Sequence, residues 1–270
     1  MSQLARALQD LRGLDTLAAR DTALARRDPR AKLVLTLCFI VTVLSFDRHG
    51  VAALLPLALF PTVLAAQAEL PARTIWRALW LASPFAIMVG LANPLLERAP
   101  MLVLAGVPIS GGWVSFVSIA LRMALCVSVG VVLIGSTGMP ALCAALQRLG
   151  APRVFTVQLL FLHRYLFVLA GEALRMKSAH GLRAVSGRRM GLALYASLTG
   201  QLLLRAVDRA RRVHQAMLAR GFDGQVRCAD RGRWQQGDSV FVVLWGLYFA
   251  AVRAVDLPLA VGSLATGVWR

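Results

Sequence analysis

Acid is scarce in this sequence: 13 Asp and Glu stand against 30 Lys and Arg, and charged residues of either sign fill only 16% of its 270 positions. A soluble domain carries about 25% charged and roughly 45–50% apolar residues. Here 58% are hydrophobic and the mean hydropathy is +0.65, which excludes an ordinary soluble enzyme and points to the membrane class. Cysteine is equally sparse. Cys38, Cys126, Cys143 and Cys228 form no CxxC and have no histidine at ligand spacing, so neither a disulfide framework nor a structural zinc is expected. The four histidines, His49, His163, His180 and His214, gather with no Asp, Glu or Cys at metal spacing. A Gly-x-x-x-x-Gly-Lys-Ser/Thr phosphate loop is missing throughout. No cleavable leader is expected, because the first apolar run comes after about thirty charged and mixed residues.

What the sequence does have is apolar length. A spanning helix needs about 20 mostly apolar residues. The first candidate, 33–46, starts earlier if Asp28-Pro29 supplies an N-cap and a first-turn proline, with Lys32 snorkelling to the headgroups. The second covers 50–66 with Pro56 and Pro61, the third 75–92 with Pro84, the fourth 113–134 after a loop over 93–112, and the fifth 240–255. Prolines inside spans are tolerated when the freed carbonyls find other donors, which argues for a bundle. Spans one to four have no Asp or Glu in their interiors. Arg122 lies midway along span four, either as an anchor satisfied by carbonyls or as a contact for another subunit.

Between Arg148 and Arg233 sixteen basic residues face only Glu172, Asp208, Asp223 and Asp230. Arg20, Arg26, Arg27, Arg30 and Lys32 precede span one, Arg73 and Arg77 precede span three, and the opposite loops carry only Arg48 and Arg98. The positive-inside rule then puts the amino terminus and the long basic segment in the cytoplasm. Two apolar stretches there, 154–170 and 190–204, can also be read as a spanning hairpin. That would export Arg175, Lys177, Arg183, Arg188 and Arg189 and bury charge at His163-Arg164. The preferred reading is long helices lying under or partly in the inner leaflet. A nucleic-acid-binding role finds no motif, and loop charge explains the basic excess more simply. A membrane-embedded enzyme finds no convincing catalytic pair.

The first long helix is expected over 153–179 and the second over 191–220. In the second, Leu203, Val207, Ala210, His214 and Met217 step along one face, and Arg205, Arg209 and Arg212 along another. Each ends in a small-basic-glycine triplet, Ala179-His180-Gly181 and Ala219-Arg220-Gly221. One reading is two ordinary glycine stops. The other is a pair of protruding tips, in which an alanine permits close approach and a basic side chain enters an acidic groove.

With Arg27-Asp28-Pro29-Arg30-Ala31-Lys32-Leu33, the two triplets, and the run from Leu203 to Ala210 leading to Gln215–Gly224, most of the chain resembles the transmembrane T component of energy-coupling factor transporters, closest to their cobalt and nickel branch. The family's triplet is Ala-Arg-Gly; the second copy matches it and the first has His180 in place of arginine. The resemblance implies an all-α membrane protein of the bacterial cytoplasmic membrane, with about five transmembrane helices plus a cytoplasmic domain of long coupling helices. Its divisions would be an amino-terminal segment 1–28, spans one to four within 29–135, the coupling domain 136–238, and span five with a tail over 239–270. It implies two ABC-type ATPase subunits on Ala179, His180, Gly181, Ala219, Arg220 and Gly221, and a separate membrane subunit that binds Co2+ or Ni2+. ATP and Mg would sit on the ATPases, with no cofactor or metal on this chain. A T component serving a vitamin, or an embedded enzyme, is the alternative.

Overall fold

The computed structural model of the protein describes residues 3–47, 51–92, 100–104, 107–183, 191–224 and 234–254. Arg48, His49, Arg98, Arg188, Arg189, Arg227, Cys228, Arg231, Arg233 and the tail 257–269 lie outside the described residues. The chain is an all-α membrane protein. It divides into two compact units, 17–138 with 230–270, and 1–16 with 139–229.

In the larger unit, α2 (Pro29–Ser45) starts as its sequence dictates: Asp28 Oδ1 accepts the Arg30 N–H at 2.8 Å and Pro29 fills the first turn. The expected second span is not one helix. It consists of α3 (Val51–Leu54), a 3-10 turn (Pro56–Ala58) and α4 (Leu59–Gln67), because Pro56 and Pro61 each remove a backbone donor. The Tyr248 hydroxyl donates to Pro56 O at 2.7 Å beside that break. Pro84 sits inside α5 (Ala72–Gly90) and leaves the Trp80 carbonyl without its usual donor; Ser83 Oγ supplies one at 2.9 Å. The expected loop 93–112 contains an antiparallel pair, β1 (Pro100–Leu104) and β2 (Val107–Ser110), in register Leu102 to Ile109 and Leu104 to Val107. Then come α6 (Gly111–Thr137) and, after the smaller unit's residues, α10 (Gln236–Ala254).

Phe39 and Phe60 are fully buried at the centre of this unit, with ring centroids 4.9 Å apart, and Trp245 and Phe249 stand edge-on to Phe60 at 4.8 and 4.9 Å. Such edge-to-face packing adds roughly 0.5–1.5 kcal/mol per pair beyond area. It ties α2, α4 and α10 together.

Two cations fix the pairing of α2 with α6. Lys32 does not snorkel outward: it is 3% exposed, and its Nζ donates at 3.2 Å to Ser136 O in the last turn of α6. Arg122 of α6 donates to Phe46 O at 2.9 Å and Asp47 O at 2.6 Å, closing the end of α2. The carbonyls expected of an anchor are thus present. The two helices therefore run antiparallel. Asp28 N–H reaches Asp238 Oδ1 at 3.4 Å, and Arg253 Nε reaches Ser45 Oγ at 3.3 Å, so α10 runs parallel to α2.

Among the described residues three helices are long and apolar enough to cross a membrane: α6, α10, and Arg153–Arg183 in the smaller unit. The expected fourth and fifth spans lie in the first two. The first falls on the 17-residue α2 and the third on α5, which carries Arg73 and Arg77 near its start.

Gly90 on α5 faces α6 so closely that a Cβ there would lie 2.6 Å from Phe116 Cδ2. Gly90→Ala is expected to lower stability by about 1–3 kcal/mol, and Phe116→Leu in the same chain to recover part of that loss. Thermal unfolding of the detergent-purified protein measures both; an unchanged melting temperature for Gly90→Ala would refute the close approach.

Candidate functional site

The smaller unit contains α1 (Gln3–Ala18, to residue 16), α7 (Met139–Arg148), α8 (Arg153–Arg183) and α9 (Leu192–Leu218). α7 ends in a left-handed glycine, Gly150 at φ +101, with Ala151 N–H reaching back to Leu146 O. Pro152 then precedes α8. Its start is where the sequence puts it. The α1 helix, which no pattern in the sequence picked out, lies against α8: Asp15 Oδ2 is 3.3 Å from His163 Nε2, and the Arg12 guanidinium stands over the Phe167 ring at 5.8 Å.

α8 and α9 are bound to each other through Glu172. Arg205 Nη1 donates to its Oε1 at 2.9 Å, and Arg209 Nη2 stands 3.3 Å from its Oε2. The carboxylate is 13% exposed, but the Arg205 and Arg209 side chains are 57% and 41% exposed, so the double pairing lies at the solvent edge and its net gain is modest. Arg209 turns inward beside Ala206, Ala210, Val213 and Met217, whereas Leu203 and Val207 are exposed. Of the face expected over Leu203, Val207, Ala210, His214 and Met217, the last three lie on the side facing α8 and the first two do not.

Beyond Glu172 the two helices enclose a mostly apolar groove of about 570 Å³, where Phe161, Tyr165 and Leu169 of α8 face Ala210, Met217 and Phe222. All lining residues of α8 precede Glu172 and all those of the α9 side come after Arg205, so the helices run antiparallel. The two triplets therefore point to opposite ends of the pair, roughly 30 Å apart at 1.5 Å per residue.

The triplets also differ in kind. At the second, Gly221 N–H bonds Leu218 O and Phe222 N–H bonds Met217 O, both at 3.0 Å, with Gly221 at φ +74. This double bond pattern is the Schellman stop, and it leaves Ala219 and Arg220 exposed on a defined end. The first is not a stop. Helix α8 continues through Ala179, half-buried His180 and Gly181 to Arg183, and Gly181 has no left-handed φ. Leu182 and Arg183 extend the helix because a glycine in a helix interior costs only about 1 kcal/mol relative to alanine.

Glu172, which joins α8 to α9, is not picked out by sequence patterns alone. Its signal was isolation: it is the single acid between Arg148 and Asp208. No group of three or more His, Cys, Asp or Glu able to hold a metal ion occurs among the described residues.

The CbiQ family, described as cobalt transport protein, matches this chain over residues 21–229. The chain is 29% identical over 122 residues to the cobalt transport protein CbiQ of Salmonella typhimurium, covering 41% of this chain and 54% of that protein. It is 36% identical over 87 residues to the cobalt transport protein CbiQ of Rhodobacter capsulatus, covering 32% and 36%. The aligned part spans about half the length of the first relative and about a third of the second.

The two glycines should respond oppositely to alanine. Gly181→Ala adds a helix former where a Cβ meets nothing within 4 Å, and should be neutral or stabilising by up to about 1 kcal/mol. Gly221→Ala forces a side chain into the left-handed region and should cost about 1–2 kcal/mol. Melting temperatures of the two variants, ordered Gly181→Ala above Gly221→Ala, test this; the reverse order would contradict the distinction between an internal glycine and a stop.

Proposed function

Because the chain belongs to the CbiQ cobalt transport protein family, we propose that it is the membrane coupling subunit of an ATP-driven cobalt uptake transporter of the energy-coupling factor type. It passes the movement of two ABC-type ATPase subunits to a separate membrane subunit that captures Co2+, with Ni2+ as the alternative cargo. The observation that carries this is the exposed Arg220 on a rigid Schellman stop at the end of a long helix. A guanidinium held in this way can fork two hydrogen bonds to a partner carboxylate. This chain is not a catalyst in the proposed complex: its 270 residues contain no phosphate loop, and ATP and Mg belong to the ATPases.

The multi-pass topology we propose has the amino terminus and the residues of the smaller unit in the cytoplasm. Three features support it. The starts of α2 and α10 and the end of α6 lie at one end of the larger unit, joined by Asp28, Asp238, Lys32 and Ser136. The chain thus leaves and returns on one side and must cross an even number of times in between. Helix α8 is apolar enough to cross, but α9, to which Glu172 binds it, carries Arg205, Asp208, Arg209, Arg211 and Arg212 within about two turns, so the pair does not cross. Finally, Asp15, which precedes the first span, meets His163 in the middle of α8.

Arg220→Ala is expected to reduce both the yield of ATPase complex and Co2+ uptake by about tenfold or more, a charge-assisted bond being worth roughly 1.5–3 kcal/mol. His180→Ala should have a smaller effect, since the histidine is charged only when protonated and lies within a helix. Copurification with the ATPases and metal uptake are the measurements; wild-type behaviour of Arg220→Ala would defeat the proposal. Separately, a cysteine at Gln215 should react with an impermeant maleimide only in inverted vesicles, and labelling from outside intact cells would reverse the topology.

A further inference from the structure

Three charged side chains are buried where the chain enters and leaves the larger unit. Asp28, Lys32 and Asp238 are 2%, 3% and 3% exposed, and Arg30 Nε stands 3.9 Å from Asp28 Oδ1. Asp28 opens α2. Asp238, in the first turn of α10, accepts the Gln235 N–H at 3.0 Å and the Asp28 N–H at 3.4 Å. Arg27 Nη1 stands 3.8 Å from Asp238 Oδ1, with its guanidinium over Phe241. Lys32 Nζ holds Ser136 O, one of the carbonyls at the end of α6 that have no partner within the helix. Its positive charge there also meets the negative end of the α6 dipole.

Immediately after Ser136 the chain leaves the larger unit. Thr137 closes α6, Gly138 takes φ +75, and Met139 begins both α7 and the other compact unit. The remaining passages between the units, at 16–17 and 229–230, lie within about a dozen residues of Asp28 and Asp238 along the chain. This polar knot is not closed: Asp28 Oδ2 and Thr137 Oγ1 are buried and make no hydrogen bond among the described residues. A buried polar cluster with spare acceptors has other arrangements close in energy, unlike one in which every group is satisfied.

We propose that this knot is the joint at which movement of the cytoplasmic helices enters the membrane helices, with Lys32 as its positioning residue. The ammonium locks the last turn of α6 to the starts of α2 and α10, so that backbone rotation is confined to Gly138 and displacement of α7 is delivered to three membrane helices at once. Without Lys32 the last turn of α6 frays and absorbs the displacement. ATP hydrolysis then continues, because the tips that meet the ATPases are untouched, and transport falls behind it. The joint rests on the proposed role as a coupling subunit.

Arg122 provides the internal control. It makes the same kind of bond between the same two helices, at the opposite end of α2. Lys32→Met, Arg122→Met and the wild-type chain, each assembled with the ATPases and the substrate subunit in proteoliposomes, are compared for Co2+ taken up per ATP hydrolysed. Lys32→Met should assemble in normal yield and lose about tenfold in that ratio. Arg122→Met should lower uptake and hydrolysis together and leave the ratio unchanged. An unchanged ratio in Lys32→Met, or an equal fall in Arg122→Met, overturns the joint. If Lys32→Met fails to assemble, Gly138→Ala decides: it disturbs the left-handed turn alone, and a ratio equal to wild type overturns the proposal while a reduced one supports it. Failure of the wild-type chain to assemble with ATPases would count against the coupling role itself, and is read from the same preparations.

Discussion

The larger unit depends on an exchange between two helices, each of which supplies the cation that finishes the other. Lys32 of α2 satisfies a closing carbonyl of α6, and Arg122 of α6 satisfies the closing carbonyls of α2. In an apolar surrounding an unpaired carbonyl and an unpaired cation are each expensive, by several kcal/mol on most scales. Placing one against the other removes both penalties and fixes direction and register at once, because both bonds form only when α2 and α6 are antiparallel with the end of α2 level with Arg122. The position of α10 is set by its own contacts with α2, and Phe60 can then fill the centre despite arriving on a segment broken by prolines.

The smaller unit is organised by charge in another way. Among its many arginines, Glu172 of α8 accepts from two guanidiniums of α9. That makes the crossing of α8 and α9 definite at one place and leaves the surfaces on either side free to be apolar, as the groove lined by Phe161, Tyr165 and Met217 shows. Arg220, at the far end of α9, owes its fixed position to backbone bonds of the Schellman stop and to no side-chain partner of its own triplet.

Local chemistry was legible wherever local chemistry decided the outcome. Asp28-Pro29 starts a helix, Gly221 stops one, and α9 spans 192–218 where the pattern predicts 191–220. The family, too, could be read from the triplets and the basic entry to the first span, as the match over 21–229 shows. The first triplet misled because glycine after a basic residue is a permitted stop, not a compulsory one, and two further helix formers come after it. The pairing of Arg209 with Glu172, thirty-seven positions away, has no signature in the local pattern of α9. Lys32 looked like a residue bound for the headgroups. Only the arrival of the end of α6, more than a hundred positions later, gives its ammonium a carbonyl.

The hydroxyls along the apolar helices turn back onto their own backbones: Thr42 to Cys38 O, Thr62 to Ala58 O, Ser83 to Trp80 O and Ser128 to Ala124 O. The Ser83 bond also closes the gap opened by Pro84, so the Trp80 carbonyl is satisfied without help from a neighbouring helix. The outer face of α5, with Trp76, Trp80, Leu81, Phe85 and Met88 all more than 60% exposed, consequently asks nothing of its surroundings except hydrocarbon. Lipid can wet that face directly, and any protein that replaces the lipid there must compete on shape alone, with no polar handle to grip.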